Sequence, residues 1–185
     1  MRVIAGTARR TALAAPVGIK TRPTTDRAKE GLFNVLSRQV AGASFLDLYC
    51  GSGQIGIEAL SRGADFAFFV DSCPRAISSL RQNLEKTRLA KRGRYSLEKA
   101  ESAIPRLAAS EKPFDIVFLD PPYDARQAAK ALSLVEKSQL LKAGGLVVVE
   151  SKTKLVDNIP CSLYLIDERA YGISCFFFYR RKEAL

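Results

Sequence analysis

The stretch Phe45-Leu-Asp-Leu-Tyr-Cys-Gly-Ser-Gly-Gln-Ile-Gly56 decides the fold. It joins an apolar run, Ser44–Leu48, to a helical segment near Ile55–Arg62 that Gly63 closes. Between them Gly51, Gly53 and Gly56 stand in G-x-G-x-x-G spacing. Glycines so placed let the chain turn tightly and let a ligand approach the backbone at the start of a helix. Taken alone, they fit an ordinary strand-to-helix turn equally well.

Outward from this loop the same alternation repeats. Apolar runs at Phe66–Val70, Tyr95–Leu97, Phe114–Leu119 and Leu146–Val149 are separated by helical segments at Pro74–Thr87, Ala103–Ala109 and Arg126–Val135. Strand, helix, strand in this order predicts an α/β fold, a mainly parallel Rossmann-like sheet with helices on both faces. After Glu150 the alternation ends. Leu163–Ala170 and Ile173–Tyr179, with little more than Gly172 between them, read as an antiparallel hairpin. Upstream, Asp26 opens a helix whose Ala28, Leu32, Val35 and Leu36 share one apolar face, and residues 1–25 precede it as a short hairpin arm. A chain of 185 residues that is 47% hydrophobic closes one sizeable core and little more, so a single domain over 1–185 is expected.

Two acids turn the glycine loop into a ligand site. Asp71, 20 residues after Gly51, ends the second strand with Ser72 beside it, where a carboxylate can accept both hydroxyls of a ribose. Asp47 sits at the end of the first strand, where a pyrophosphate would bring like charge into a poorly solvated cleft. The ammonium and sulfonium of S-adenosylmethionine would instead be attracted, so that cofactor is expected and a dinucleotide is not. Its adenine is expected beside Lys99, Ala100 and Glu101, just after the third strand.

The fourth run delivers Asp120-Pro-Pro-Tyr123 to the carboxyl end of its strand, the side where open parallel sheets bind ligands. Pro121 and Pro122 fix their own φ angles and bias the residue before each toward extended backbone, so the segment is stiff. An exocyclic amine of a nucleobase is a poor nucleophile because its lone pair is delocalised into the ring. The Asp120 carboxylate and the Pro121 carbonyl can hold its two N–H bonds and aim the lone pair at a sulfonium methyl, while Tyr123 offers a face for the base to stack on. The chain has no histidine, and this chemistry requires none.

A formal net charge of +10 and a pI near 9.7 suit a polyanionic partner. Half of that excess lies in residues 1–30, where seven basic side chains face two acids for a net +5. Arg2, Arg9, Arg10 and Arg22 are the expected RNA phosphate contacts, and because the arm contributes nothing to the glycine loop, cofactor binding is expected to be independent of it. A second cluster, Lys86, Arg88, Lys91, Arg92 and Arg94, reads as a solvated loop. Cys50, Cys73, Cys161 and Cys175 stand far apart with no C-x-x-C pair, which suggests neither a disulfide framework nor a zinc site, and no metal is expected. The start, MRVIAGTARR, has no apolar signal stretch and no run is long enough to span a bilayer, so a cytoplasmic protein, acting as a monomer, is expected.

Arg2-Val-Ile-Ala-Gly6, Arg22-Pro-Thr-Thr-Asp-Arg27, Phe33-Asn34, Leu46-Asp-Leu-Tyr-Cys-Gly-Ser-Gly53 and Asp120-Pro-Pro-Tyr123 together resemble the bacterial 16S ribosomal RNA guanine-N2 methyltransferases, over nearly the whole chain. The glycine loop and Asp-Pro-Pro-Tyr are shared with many amino-methyltransferases, whereas Arg-Pro-Thr-Thr-Asp-Arg after an amino-terminal hairpin is the more specific signature. The resemblance implies methylation of one loop guanine in 16S ribosomal RNA or in a small-subunit assembly intermediate. It departs in the arm, where Arg10 replaces a usual glycine and Ala12 a common base. Two other functions compete. A DNA adenine-N6 methyltransferase shares the site but generally needs a recognition domain that this length does not accommodate. A non-catalytic RNA-binding protein would have no reason to keep Asp47, Asp71 and Asp120 together.

Overall fold

A computed structural model describes residues 1–16, 24–121, 125–151 and 162–182, with the backbone alone at Ala125 and Arg126. Arg22, Pro122, Tyr123 and Cys161 lie outside the described residues. The chain runs α1 (Asp26–Leu36), β1 (Ser44–Leu48), α2 (Gln54–Ser61), β2 (Phe66–Asp71), α3 (Pro74–Lys86), a 3-10 turn at Ala90–Arg92, β3 (Gly93–Leu97), α4 (Ala100–Ser110), β4 (Phe114–Leu119), α5 (Ala125–Lys137), β5 (Leu141–Ser151), β6 (Leu163–Tyr171) and β7 (Ser174–Arg181).

These strands form one sheet in the order β3-β2-β1-β4-β5-β7-β6. The first five are parallel, whereas β7 pairs antiparallel with β5 and β6 pairs antiparallel with β7. The chain steps outward from β1 through β2 to β3, then returns to place β4 on the other flank of β1. A reversal of this kind opens a crevice at the carboxyl ends of the two central strands, and the glycine loop and Asp120 lie on either side of it.

Alternating side chains build a core on each face of the sheet. Phe45, Phe69, Phe118, Val148, Phe176 and Phe178 face α1, α2, α3 and the arm, and Leu46, Val70, Val117, Val149, Phe177 and Tyr179 face α4 and α5. Thr25 caps α1 by accepting from the Ala28 amide at 3.2 Å. The buried face of α1 is broader than its apolar spacing implies, because Lys29, Gly31 and Phe33 are closed off as well. A Cβ at Gly31 would lie 2.0 Å from the Tyr171 ring, so the β6–β7 hairpin packs directly on this helix.

Two elements begin three or more residues before their expected bounds. Helix α4 begins at Ala100 rather than Ala103, with Pro105 in its second turn, where the missing N–H costs one backbone bond without ending the helix. Strand β5 begins at Leu141 rather than Leu146, because a register shift against β4 absorbs the glycine pair at 144 and 145. Among the described residues no helix is long and apolar enough to cross a membrane.

Candidate active site

Backbone in the left-handed region shapes the loop after β1. Tyr49 has φ 62°, Gly51 φ 55° and Gly53 φ 79°, and Gly53 is the N-cap of α2. Only glycine takes such angles without cost, so Tyr49 is a strained position at the edge of the cleft. A Cβ on Gly51 would meet no protein atom within 4 Å, which leaves that backbone open to an approaching ligand, whereas one on Gly56 would lie 2.3 Å from the Phe69 ring. The third glycine therefore serves close packing of helix on sheet.

Both acids of this region hold the loop itself. Asp47 is 1% exposed and accepts the Gly56 amide at 2.9 Å. Burial pushes its carboxyl up to about 7, helped by the nearby Asp71 charge and opposed by the Gly56 bond. Asp71 accepts the Gly51 amide through one oxygen and the Cys73 amide through the other, each at 2.8 Å. Each oxygen keeps a second lone pair for a ligand hydroxyl. Ser72 beside it is exposed. The Glu98 amide donates to the Asp71 carbonyl, which draws the end of β3 and the following Lys99-Ala100-Glu101 segment toward the same rim. Lys99 is exposed, Ala100 is buried, and burial, helped by the Glu101 charge, raises the Tyr49 hydroxyl to about 12. Cys50 is buried, and burial plus the charges of Asp47 and Asp71 push its thiol well above its ordinary value, so it is no nucleophile.

Asp120 follows β4 across the crevice, and Pro121 behind it is buried. Asp120 is exposed as a residue, yet the protein packed around its carboxyl weakens its hydration. That crowding, then the charges of Glu150 and Asp47, hold it well above the ordinary carboxyl range. Glu150 is the neighbour in register. Phe118 pairs with Val148 and Leu119 with Val149, so Asp120 and Glu150 come next on adjacent parallel strands and on the same face as Phe118 and Val148. Burial raises the Glu150 carboxyl, while hydroxyls of Ser174 and Thr24 stabilise its charge, Thr24 Oγ1 donating at 3.0 Å.

The arm is a docked hairpin. Val3 donates to the Thr11 carbonyl and Arg10 to that of Val3, while Val3, Ala8 and Leu13 enter the core. Glu58 on α2 accepts the Ile4 and Ala5 amides at 2.8 and 3.0 Å and Arg62 Nε at 2.8 Å, and the fully buried Lys29 donates to the Arg2 carbonyl at 2.5 Å, 3.8 Å from Glu58. Arg2 pairs with Asp26 at 2.9 Å, whereas Arg9 and Arg10 are exposed; these three arginines line a shallow hollow with Val3 and Ile4. Arg10 has φ 71°, which explains why glycine suits that position. The arm is also less separate from the glycine loop than expected. Asn83 Nδ2 donates to the Ala14 and Ser52 carbonyls, both at 3.0 Å, and its Oδ1 accepts the Ala14 amide at 2.8 Å. In the second basic cluster Arg92 is structural, donating to the Leu60 carbonyl in the last turn of α2 and to the Ala64 carbonyl beyond it.

Sequence reasoning passed over Tyr49, Asn83, Glu150 and Thr24. Glu150 alone carried a visible signal, an acid at the end of an apolar run like Asp71 and Asp120. Among the described residues no group of three or more His, Cys, Asp or Glu side chains could hold a metal.

Comparison with known proteins agrees with this geometry. Residues 1–180 match the family described as Conserved hypothetical protein 95. The putative rRNA methyltransferase YlbH of Bacillus subtilis is 36% identical over 98% of this chain and 100% of its own length. The ribosomal RNA small subunit methyltransferase D of Escherichia coli is 33% identical over 98% and 90%. Among solved structures, the putative methyltransferase yhhF from Escherichia coli superposes with a TM-score of 0.86 at 32% identity, covering 100% of this chain and 99% of its own. The chain belongs to the Conserved hypothetical protein 95 family, alongside relatives named ribosomal RNA small subunit methyltransferase D, and is a methyltransferase.

Proposed function

We propose that this methyltransferase moves the methyl group of S-adenosylmethionine to the exocyclic N2 amine of a guanine in 16S ribosomal RNA during small-subunit maturation. The observation that carries this reading is the position of Asp120, on the strand that flanks the glycine loop across the crevice between β1 and β4. The open backbone at Gly51 and the carboxylates of Asp47 and Asp71 suit the cofactor, with Ser72, Lys99, Ala100 and Glu101 forming the adenine side. Asp120 and the Pro121 carbonyl take the two amine N–H bonds, so that the lone pair is aimed at the sulfonium methyl before transfer. The N–CH3 bond forms as the S–CH3 bond breaks, and the nitrogen then yields a proton to Asp120 or water. Pro122 stiffens the segment and Tyr123 stacks the base. Arg2, Arg9, Arg10 and Arg22 contribute phosphate contacts, and Arg2, already paired with Asp26, contributes least.

Asp120→Asn tests the reading. The variant should fold and bind cofactor normally while single-turnover transfer from labelled cofactor slows at least about a hundredfold, the scale of lost electrostatic preorganisation. Near-normal transfer would make Asp120 a turn residue.

A further inference from the structure

We propose that Glu150 reads the target base, accepting the N1–H of guanine while Asp120 and Pro121 hold the N2 amine. This rests on the guanine-N2 reading and adds to it the group that separates guanine from adenine.

Asp120 and Glu150 end adjacent parallel strands on one face, one position beyond the Leu119 and Val149 pair. The glycine loop lies on the β1 side of Asp120 and Glu150 on the β5 side, so a base that offers its amine to the cofactor at Asp120 extends over the end of β5 and turns the next atom of its Watson–Crick edge toward Glu150. In guanine that neighbour is N1–H, a donor. In adenine, with its N6 amine at Asp120, the corresponding atom is N1, an acceptor. An ionised carboxylate only accepts, so it rewards the first base and repels the second.

Glu150 is prepared for this role. Burial raises the Glu150 carboxyl, and the hydrogen bonds from Ser174 and from Thr24, which donates to Oε2 at 3.0 Å, offset part of that rise and fix the side chain's direction, while the residue remains partly exposed. Thr24 belongs to the Arg22-Pro-Thr-Thr-Asp-Arg27 signature, 126 positions from Glu150, and its neighbour Thr25 caps α1. The signature thus reaches the neighbourhood of Asp120 by bracing a carboxylate on the adjacent strand. A group whose only task were to stabilise the fold would gain nothing from an acid beside Asp120, because two like charges in one recess oppose each other.

The test is a cycle across protein and base. Small-subunit RNA bearing guanine or 2-aminopurine at the methylated position is offered to the wild type and to Glu150→Gln. 2-Aminopurine keeps the amine but presents N1 as an acceptor. The wild type should prefer guanine at least about a hundredfold, the scale on which a site built for a donor rejects an analogue lacking it. In Glu150→Gln, whose amide can donate to N1, that preference should narrow at least about tenfold. Equal slowing on both bases would mean that Glu150 only braces Thr24, and would overturn the proposal. If the variant does not fold, the wild type still tests the proposal, since equal rates on the two bases exclude recognition of N1–H. Absence of any N2-methylguanine from the wild type would overturn the guanine reading itself, and this proposal with it.

Discussion

Asp47 is closed from water and uses one oxygen on the Gly56 amide, so its charge is tolerated poorly until a cation arrives. Its folded pKa of about 7 lies above the ordinary carboxyl value of 3.8. A raised carboxyl pKa means that the folded chain keeps a proton the unfolded chain has lost. The associated stabilisation is full below about pH 3.8 and disappears as pH rises through about 7. The thermal midpoint of the ligand-free protein should therefore fall across that window, and Asp47→Asn, which has no carboxyl to ionise, should fall less steeply. Scanning calorimetry at several pH values measures both, and identical slopes would remove Asp47 as the source. Asp120 behaves similarly. Its transfer rate should rise with pH as the carboxyl ionises, and Glu150→Gln should move that rise to lower pH by removing the adjacent charge, as single-turnover pH profiles would record. Asp47, Asp71 and Asp120 were legible in the sequence because each interrupts or ends an apolar run beside a turn. Glu150 obeys the same rule, but its partner Thr24 is 126 residues away and the two meet only in the folded chain. No local pattern encodes that meeting.

Helix α3 connects the arm with the cofactor loop through a single side chain. Asn83→Ala would leave the Ala14 amide, the Ala14 carbonyl and the Ser52 carbonyl to find other partners. Losses of this kind cost about 1–3 kcal/mol. Denaturant unfolding should register that loss, and calorimetric titration should show weaker S-adenosylmethionine binding although Asn83 is buried below the cleft. Unchanged affinity in a destabilised variant would confine Asn83 to holding the arm. Strand and helix identities followed from the sequence because short apolar runs alternate with amphipathic segments. Their ends followed less well, since Pro105 hides the start of α4 and the glycine pair at 144 and 145 hides that of β5, both tolerated because tertiary packing outweighs local preference.

Across the whole molecule the +10 charge is unevenly divided. Every parallel strand carries an acid at or within one residue of its carboxyl end, Asp47, Asp71, Glu98, Asp120 and Glu150 on β1, β2, β3, β4 and β5, while exposed Arg9 and Arg10 lie on the arm. Making Arg9 and Arg10 both alanine should weaken RNA binding nearly equally across sequences and lower the slope of log affinity against log salt by roughly 0.7 per lost contact on single-stranded RNA. Filter binding over a salt series checks this, and an unaltered slope would leave the arm without a phosphate role. The sheet order has a bearing on synthesis as well. Strand β7 comes last in the chain yet lies between β5 and β6, and it brings Phe176, Phe177, Phe178 and Tyr179 into both cores. A nascent chain therefore carries an unfilled β5 edge until this strand has emerged, and a message stopped before codon 174 yields a product with two exposed apolar faces, a substrate for proteases and chaperones rather than a slower enzyme.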